Sequence, residues 1–318
     1  MRPSGSDLRL LQVFDAVVRH GGFSAAEGEL NLSQSTISNH MAALEERLGV
    51  VLCRRGRGGF QLTEEGRSVH EAATRLNAAL HDFSADVGSV QGKISGELRI
   101  GVLDAICDDP QNRLPEALGA FHELAGDAKV LLAQEAAQDL QQKVRDGTYH
   151  CGIGVDLTPV EGLDQVLLNT EMHSLYCGRG HPLFHMPVAD LVREELLALP
   201  FVKRGYWCTE KSRQNVFRNV AATVLQIEPQ LLLIRSGHYV GYLPDHYAAR
   251  WCANGELRRF EVPEFSYSAQ FYLFTARDNR KSTTVTAITQ AVRSAWAKNA
   301  DCDQDDKSQK KQKYLESA

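Results

Sequence analysis

Gln34, Ser35, Ser38 and Asn39 carry short hydrogen-bonding side chains, and they recur on one side of a stretch whose other side is apolar. Amides and hydroxyls near a helix N-terminus are the groups that read base edges and hold phosphates in the major groove of DNA. Ser33 is placed to cap that stretch, with Thr36 and His40 supporting. Downstream, Arg54, Arg55 and Arg57 crowd into the run RRGRG, which suits phosphate oxygens. Each pattern also has a bland reading, a polar surface helix and a solvated basic loop; their adjacency favours a nucleic-acid interface. Two other constellations are weaker. His173, Cys177, His181 and His185 are four apart, a ligand spacing on a helix. Leu175-Tyr176-Cys177 reads as strand, however, and Gly178, Gly180 and Pro182 would break a helix, so no metal site is expected. Cys177 and Cys208 could pair as redox thiols, but cysteines of reduced compartments are more often buried and inert. Gly152 and Gly154 give only G-x-G, and no GxxxxGK[ST], GxSxG or HExxH occurs. These absences argue against an enzyme, and no cofactor is expected.

The elements that must position the first cluster follow from periodicity. Leu10, Val13, Phe14 and Val17 predict a helix over 7–20, stopped by Gly21-Gly22. Ser24 and Glu27 fit a capping box for a second helix ending near Leu30. Asn31 and Leu32 turn, and Ser33 caps a third helix, Gln34 to about Leu48. Its buried side is Ile37, Met41, Leu44 and Leu48, and Gly49 ends it. Two short helices joined this way make a helix-turn-helix. Residues 50–52 and 59–62 flank the arginines as a hairpin, with the arginines at its tip. Thr63 then caps a long helix, with Glu64 and Glu65 in its first turn. Val69, Ala73, Leu76, Leu80, Phe83, Val87 and Val90 alternate at spacings of four and three, a heptad seam that predicts a partner helix.

From Ile94 the pattern changes to β-α-β-α-β: strand to Val102, helix 114–124, strand 130–133, helix 139–146, strand 151–155. This order predicts a parallel sheet between helices. Further strands are expected at 175–177 and 201–204, helices at 191–198, 214–224 and 285–296, and strand or helical fragments at 231–234, 241–243 and 271–275. The tail from Asp301 is poor in apolar residues and is expected to be disordered. The chain has 318 residues, 43% apolar and 24% charged, and a net charge of −5. The first sixty residues hold seven arginines and six acids, net +1, so bulk charge would miss a DNA-binding role. The seven cysteines are odd in number and form no CxxC pair, which argues against a disulfide framework. No secretory leader or membrane span is evident, and a cytoplasmic location is expected.

The chain resembles the LysR-type transcriptional regulators from about Leu8 to Trp296. The match is most specific in FSAAEGELNLSQSTISNHMAALEERLGVVLCRRGRGGFQLTEEG, residues 23–66. Farther on, GIGV, LYCG-x-GHPL and SG-x-YVGYLP keep the family pattern. Glu27 departs from it, where a small residue is usual, and so does Asn39, where arginine is usual. The resemblance implies an α/β multidomain protein. Residues 1–62 would be a winged helix-turn-helix, and 63–92 a linker helix that dimerises through Val69, Ala73, Leu76, Leu80, Phe83 and Val87. Residues 93–300 would be a two-lobed periplasmic-binding-protein-like effector domain, lobe I at 93–166 and 270–300 and lobe II at 167–269, followed by the tail 301–318. It also implies a regulator of transcription that binds double-stranded DNA at an interrupted palindrome as a homodimer, or as a homotetramer paired through the effector domains. RNA polymerase is a candidate partner, and a small-molecule effector would bind between the lobes. In this chain that cleft corresponds to Leu103, Asp104 and Ala105 on one side and Val202, Arg204, Gly205 and Tyr206 on the other. Arg204 suits a carboxylate, and Asp104, Asp108 and Asp109 on the facing loop suit an amine, with Tyr206 or Trp207 covering an apolar part. The alternative is that Asp104 and Asp108 are helix caps and Arg204 is a surface charge.

Overall fold

The computed structural model describes residues 4–56, 59–89, 96–157, 159–205 and 216–298. Arg57, Tyr206, Trp207, Cys208, Val90 and the tail from Asp301 lie outside the described residues. The chain divides into two compact units, Met1–Phe83 and Ser84–Ala318.

The first unit contains α1 (Gly5–Arg19), α2 (Glu27–Leu30), α3 (Gln34–Leu48), β1 (Cys53–Gly56), β2 (Gly59–Leu62) and most of α4 (Glu64–Ser89). The apolar stripes of α1 and α3 face each other: Val13, Phe14 and Val17 pack with Ile37, Met41 and Leu44 in one buried cluster, joined by Phe23 and Leu52. Asp7 of α1 is ion-paired with Arg47 near the end of α3. Gly49 ends α3 in the left-handed conformation at φ 70°.

Two local expectations are corrected. Ser24 does not cap the second helix; α2 begins at Glu27 behind Ala26, with no side-chain cap. The Glu27 carboxylate reaches forward instead and accepts the Gln34 N–H at 2.6 Å. The arginines also do not all sit at the hairpin tip. Cys53 rather than Val50 starts β1, and Arg54 and Arg55 pair with Gln61 and Phe60 within the ladder. The reason lies in Glu45, whose carboxylate accepts the Leu52 N–H at 2.7 Å and ties that segment to α3.

Thr63 caps α4 as expected, accepting the Gly66 N–H at 2.8 Å while its own hydroxyl donates to the Val51 carbonyl at 2.6 Å. Gly66 is required there, because a Cβ would lie 2.0 Å from the Leu52 carbonyl oxygen.

The second unit is built on a sheet of nine strands among the described residues. They are β3 (Glu97–Val102), β4 (Lys129–Gln134), β5 (Cys151–Val155), β6 (Leu163–Gly178), β7 (Phe201–Arg204), β8 (Val220–Val224), β9 (Val240–Pro244), β10 (Leu257–Arg259) and β11 (Ser266–Ala276). Their order is β4-β3-β5-β11-β6-β9-β7-β8, with β10 also on β6. β3, β4 and β5 are parallel, as are β7, β8 and β9. The long antiparallel pair β6 and β11 joins these two groups and carries the chain between two lobes. Residues 166/167 and 269/270 fall inside these continuous strands, and the pairing shifts register at Phe271/Tyr272.

Lobe I packs α5 (Leu114–Leu124), α6 (Ala137–Arg145) and α10 (283–298) around one apolar core containing Phe121, Leu140, Ile288 and Trp296. Gly152 and Gly154 let α6 approach β5: a Cβ on either would come within 3.0 Å of Leu140. That packing accounts for the G-x-G pattern without a nucleotide. Lobe II carries α7 (Arg193–Ala198), α8 (Ile227–Arg235) and α9 (Asp245–Ala253), with separate apolar clusters built around Phe201 and around Ile234. The helix expected over 214–224 is corrected: 214 and 215 lie outside the described residues, and Val220–Val224 is the edge strand β8. Its β-branched Val220, Thr223 and Val224 favour a pleated ladder, which β7 supplies.

Candidate nucleic-acid interface and interlobe cleft

On α3, Gln34, Ser35, Ser38 and Asn39 fall within an arc of about 140° at 100° per residue. Gln34, Ser35 and Asn39 are exposed and Ser38 is half-buried, while Ile37, Met41 and Leu44 hold the opposite side in the core. Ser33 accepts the Thr36 N–H at 3.3 Å, and the two hydroxyls lie 2.9 Å apart, so Thr36 takes part in the cap. His40 lies beside the apolar side, with its Nδ1 shielded from solvent. Glu27 and Ser33 together satisfy two of the amides left open at the start of α3. Glu27 is therefore a positioning residue that the capping-box reading assigned to the wrong helix. Arg54 is exposed on β1.

The seam of α4 divides. Val69 packs against the core of the first unit and Ala73 is buried. Leu76 is half-buried, whereas Leu80, Phe83 and Val87 are exposed, Phe83 at 67%. The first turns thus dock on their own unit, and the apolar surface left open lies toward the C-terminal half.

In the second unit, the loop after β3 faces lobe II. Ala105 holds a left-handed φ of 61°, rare for a residue with a Cβ. Asp104 beside it pairs with Arg204 of β7 at 3.2 Å, with side-chain exposures of 12% and 7%. Asp104 also accepts the Ile227 N–H at the start of α8, so it caps a helix of the opposite lobe. The two charges assigned to a ligand therefore neutralise each other: Asp104 is a helix cap, on a helix of the opposite lobe, whereas Arg204 is buried rather than a surface charge. Leu103, Val155, Glu171, His173, Ile227, Pro244 and Phe271 complete the surroundings, and the open volume is about 20 Å³. Val202 is buried behind the site, and Gly205 closes β7 by donating to Val224.

A second cluster, unseen in the sequence, lies close by. Glu171 of β6 accepts from His173 Nε2 at 2.5 Å and from His246 Nε2, in the first turn of α9, at 2.9 Å. Burial opposes ionisation of Glu171, but the two histidines outweigh it and hold the carboxyl at about 2. Burial likewise opposes charge on His246, yet Glu171, with Asp109 nearby, raises the imidazole above its usual value of 6.5. Alternation along β6 was the one signal: Glu171 and His173 share a strand face. Their partners are 62 or more residues distant in sequence, as the numbers of Asp109 and His246 show.

The spaced histidines do not gather. His173 and Cys177 sit four residues apart on an extended strand, roughly 13 Å. Cys177 and Cys151 are buried thiols, each pushed up to about 12 by that burial, which disfavours thiolate chemistry. Among the described residues, no helix is long and apolar enough to cross a membrane.

Comparison with known proteins agrees with this architecture. A family model described as "Bacterial regulatory helix-turn-helix protein, lysR family" matches residues 8–67, and "LysR substrate binding domain" matches 91–297. The chain is 37% identical over 290 residues to "HTH-type transcriptional activator BauR" of Pseudomonas aeruginosa, covering 91% of this chain and 95% of that protein. It is 32% identical over 214 residues to "Probable HTH-type transcriptional regulator LrrA" of Synechococcus elongatus, covering 65% and 71%. Among solved structures, the LysR family regulator CbnR superposes with a TM-score of 0.63 at 22% identity, covering 91% of this chain and 98% of that one. CbnR complexed with its target DNA gives 0.62 at 21% identity, covering 91% and 99%. At these identities the structures speak to the fold alone.

Proposed function

The chain belongs to the LysR family of transcriptional regulators and is not an enzyme, and from that premise we propose how its own residues do the regulating. The α3 face of Gln34, Ser35, Ser38 and Asn39 enters the major groove. Ser33 and Thr36 order the helix start, and His40 backs it from the core side. Arg54, Arg55 and Arg57 of the wing hold the DNA backbone. Residues 1–62, 63–92 and 93–300 serve as DNA-binding domain, linker and effector domain. The observation that carries this reading is the polar, solvent-facing side of α3 opposite a fully buried side, capped by Glu27 and Ser33.

Leu80, Phe83 and Val87 meet the same residues of a second chain, with Leu76 at the margin, while Val69 and Ala73 fix the helix to its own unit. The dimer presents two recognition helices to an interrupted palindrome. Leu124 and the edge strand β4, with Val130, Leu131 and Leu132 exposed, offer the effector domain a surface for tetramer assembly. By extension from the relative named as an activator, the chain activates transcription through RNA polymerase in the cytoplasm. The family's effector binds between the lobes, where it meets Leu103, Asp104 and Ala105 against Val202, Arg204, Gly205 and Tyr206. Opening the Asp104–Arg204 pair frees Arg204 for a carboxylate and Asp104 for an amine.

Footprinting on genomic fragments tests the DNA roles. Ser38→Ala is expected to relax sequence preference. Arg54→Ala is expected to weaken all sequences alike and to flatten the salt dependence. The reverse pattern would show the roles misassigned. A thermal-shift screen of amino acids, polyamines and carboxylates on wild type, Asp104→Asn and Arg204→Gln tests the cleft. A true effector indifferent to both substitutions binds elsewhere.

A further inference from the structure

We propose that Asp109, Glu171 and His246 form a binding site for one divalent first-row transition-metal ion, Zn2+ or Mn2+, which clasps the two lobes. The donors come from three separate elements: the loop after β3 in lobe I, the crossing strand β6, and the first turn of α9 in lobe II. One ligand atom of each lies within 4.8 Å of the others. Two carboxylates and an imidazole form a mixed set, the oxygens suited to Mn2+ and the nitrogen to Zn2+, and their summed charge of −2 with a neutral imidazole matches a dication.

The surroundings hold the donors from behind. Asn169 Nδ2 donates to Asp109 Oδ2 at 2.7 Å. His173 donates to the Glu171 oxygen that His246 does not use, at 2.5 Å, and its ring stacks on Tyr267 with centroids 4.8 Å apart. Outer partners of this kind orient ligating carboxylates and are characteristic of metal centres. A purely structural ion pair would explain the Glu171–His246 contact. Asp109, oriented by its own amide, adds a second carboxylate, so that three donors converge within 4.8 Å of one another. The sequence could not show this set, because its ligands are spread over three distant segments. The ion would hold lobe I to lobe II independently of DNA, so binding is testable apart from the regulatory reading.

The test uses full-length protein stripped with EDTA and titrated with Zn2+, Mn2+ or Mg2+ by calorimetry, with bound metal counted by elemental analysis. One Zn2+ or Mn2+ per chain is expected, with Mg2+ much weaker. Asp109→Asn and His246→Ala should each weaken binding at least about tenfold, and Asn169→Ala by about tenfold. His185→Ala, remote from the cluster, should leave affinity unchanged. Co2+ titration gives a readout independent of stability: visible bands in wild type that shift in intensity and position in His246→Ala. No saturable binding, or binding indifferent to both Asp109→Asn and His246→Ala, overturns the proposal. So does protection of these residues by primary alkylamines when neither metal binds, which would make the cluster an ammonium cradle.

Discussion

Asp104→Ala, Arg204→Met and the double variant measure the contact that joins the lobes. Asp104 and Arg204 are 12% and 7% exposed and 3.2 Å apart. Removing one member of such a pair costs about 3–5 kcal/mol when the other is left buried without compensation. Asp104→Ala takes the carboxylate from the buried Arg204 guanidinium, which keeps Gln230 at 3.4 Å among its contacts, and opens the Ile227 N–H as well. The lower end of that range, about 3 kcal/mol, is expected. Arg204→Met takes the cation from Asp104 but leaves the carboxylate its bond to the α8 amide, which compensates part of the charge, so about 1–2 kcal/mol is expected. In a domain of this size 1 kcal/mol shifts Tm by about 2–4 °C, so the losses are about 6–12 °C and about 2–8 °C. In the double variant no charge remains to be stranded. Its cost should stay near that of Asp104→Ala, a coupling of about 1–2 kcal/mol. Calorimetry of the full-length protein reads these values from the effector-domain transition. Strict additivity, or single variants within about 1 °C of wild type, would refute the argument that the pair is a buried latch.

Gly66→Ala should destabilise the DNA-binding unit by at least about 2–3 kcal/mol in urea unfolding, because the new Cβ meets the Leu52 carbonyl backbone rather than a flexible side chain. Leu80→Asp with Phe83→Asp should abolish the dimer in sedimentation while leaving each folded chain intact, since both positions are exposed within one chain; a dimer that survives would place the interface elsewhere. Ala105→Gly should raise the effector-domain Tm, because glycine adopts the left-handed φ of 61° without strain; a lower Tm would show that the strain is outweighed by the flexibility added to the unfolded chain. Because the His246 value is raised in the fold, its contribution is complete below the unfolded value of 6.5 and is lost as pH climbs through the raised value. Glu171, held at about 2, contributes above 4.5 and fails as pH falls below that. Thermal stability of the effector domain should therefore decline on raising pH above 6.5, and His246→Gln should flatten that decline.

What the sequence made legible was local. Ser33, Gly49 and Thr63 mark helix boundaries through side-chain or left-handed caps, and these act within a few residues. The heptad pattern located α4 and short apolar runs located β3–β5, of which β3 and β5 are buried on both faces while β4 lies exposed at the sheet edge. The misplacements arose where a distant group decided the outcome. Glu27 caps α3 rather than α2 because the Gln34 amide comes within its reach. The hairpin starts at Cys53 because Glu45 claims the Leu52 amide. Val220–Val224 is extended because β7 supplies a ladder that no helical spacing can reveal. The α4 seam read as uniform, yet Val69 and Ala73 turn inward where Phe14 and His70 bring α1 against α4. The cleft was legible only as a place. Asp104 and Arg204 are 100 residues apart, and their mutual neutralisation is a fact of folding.

That neutralisation sets a condition on control. A ligand shifts two arrangements of the lobes only by the difference between its affinities for them. With the latch closed, Arg204 and Asp104 are already satisfied, and the α8 amide is capped. A ligand that binds by separating them must return what the pair loses, about 3 kcal/mol, which costs roughly 150-fold in apparent affinity. Asp104→Asn lowers that threshold on the lobe I side while keeping a group able to accept the Ile227 amide. For an effector whose carboxylate replaces Asp104 on Arg204, this variant should respond at lower concentration than wild type in a reporter assay. For an effector whose amine needs Asp104, the response should be lost. An unchanged dose response would mean that the latch does not separate during signalling, and that the ligand reaches the cleft without breaking it.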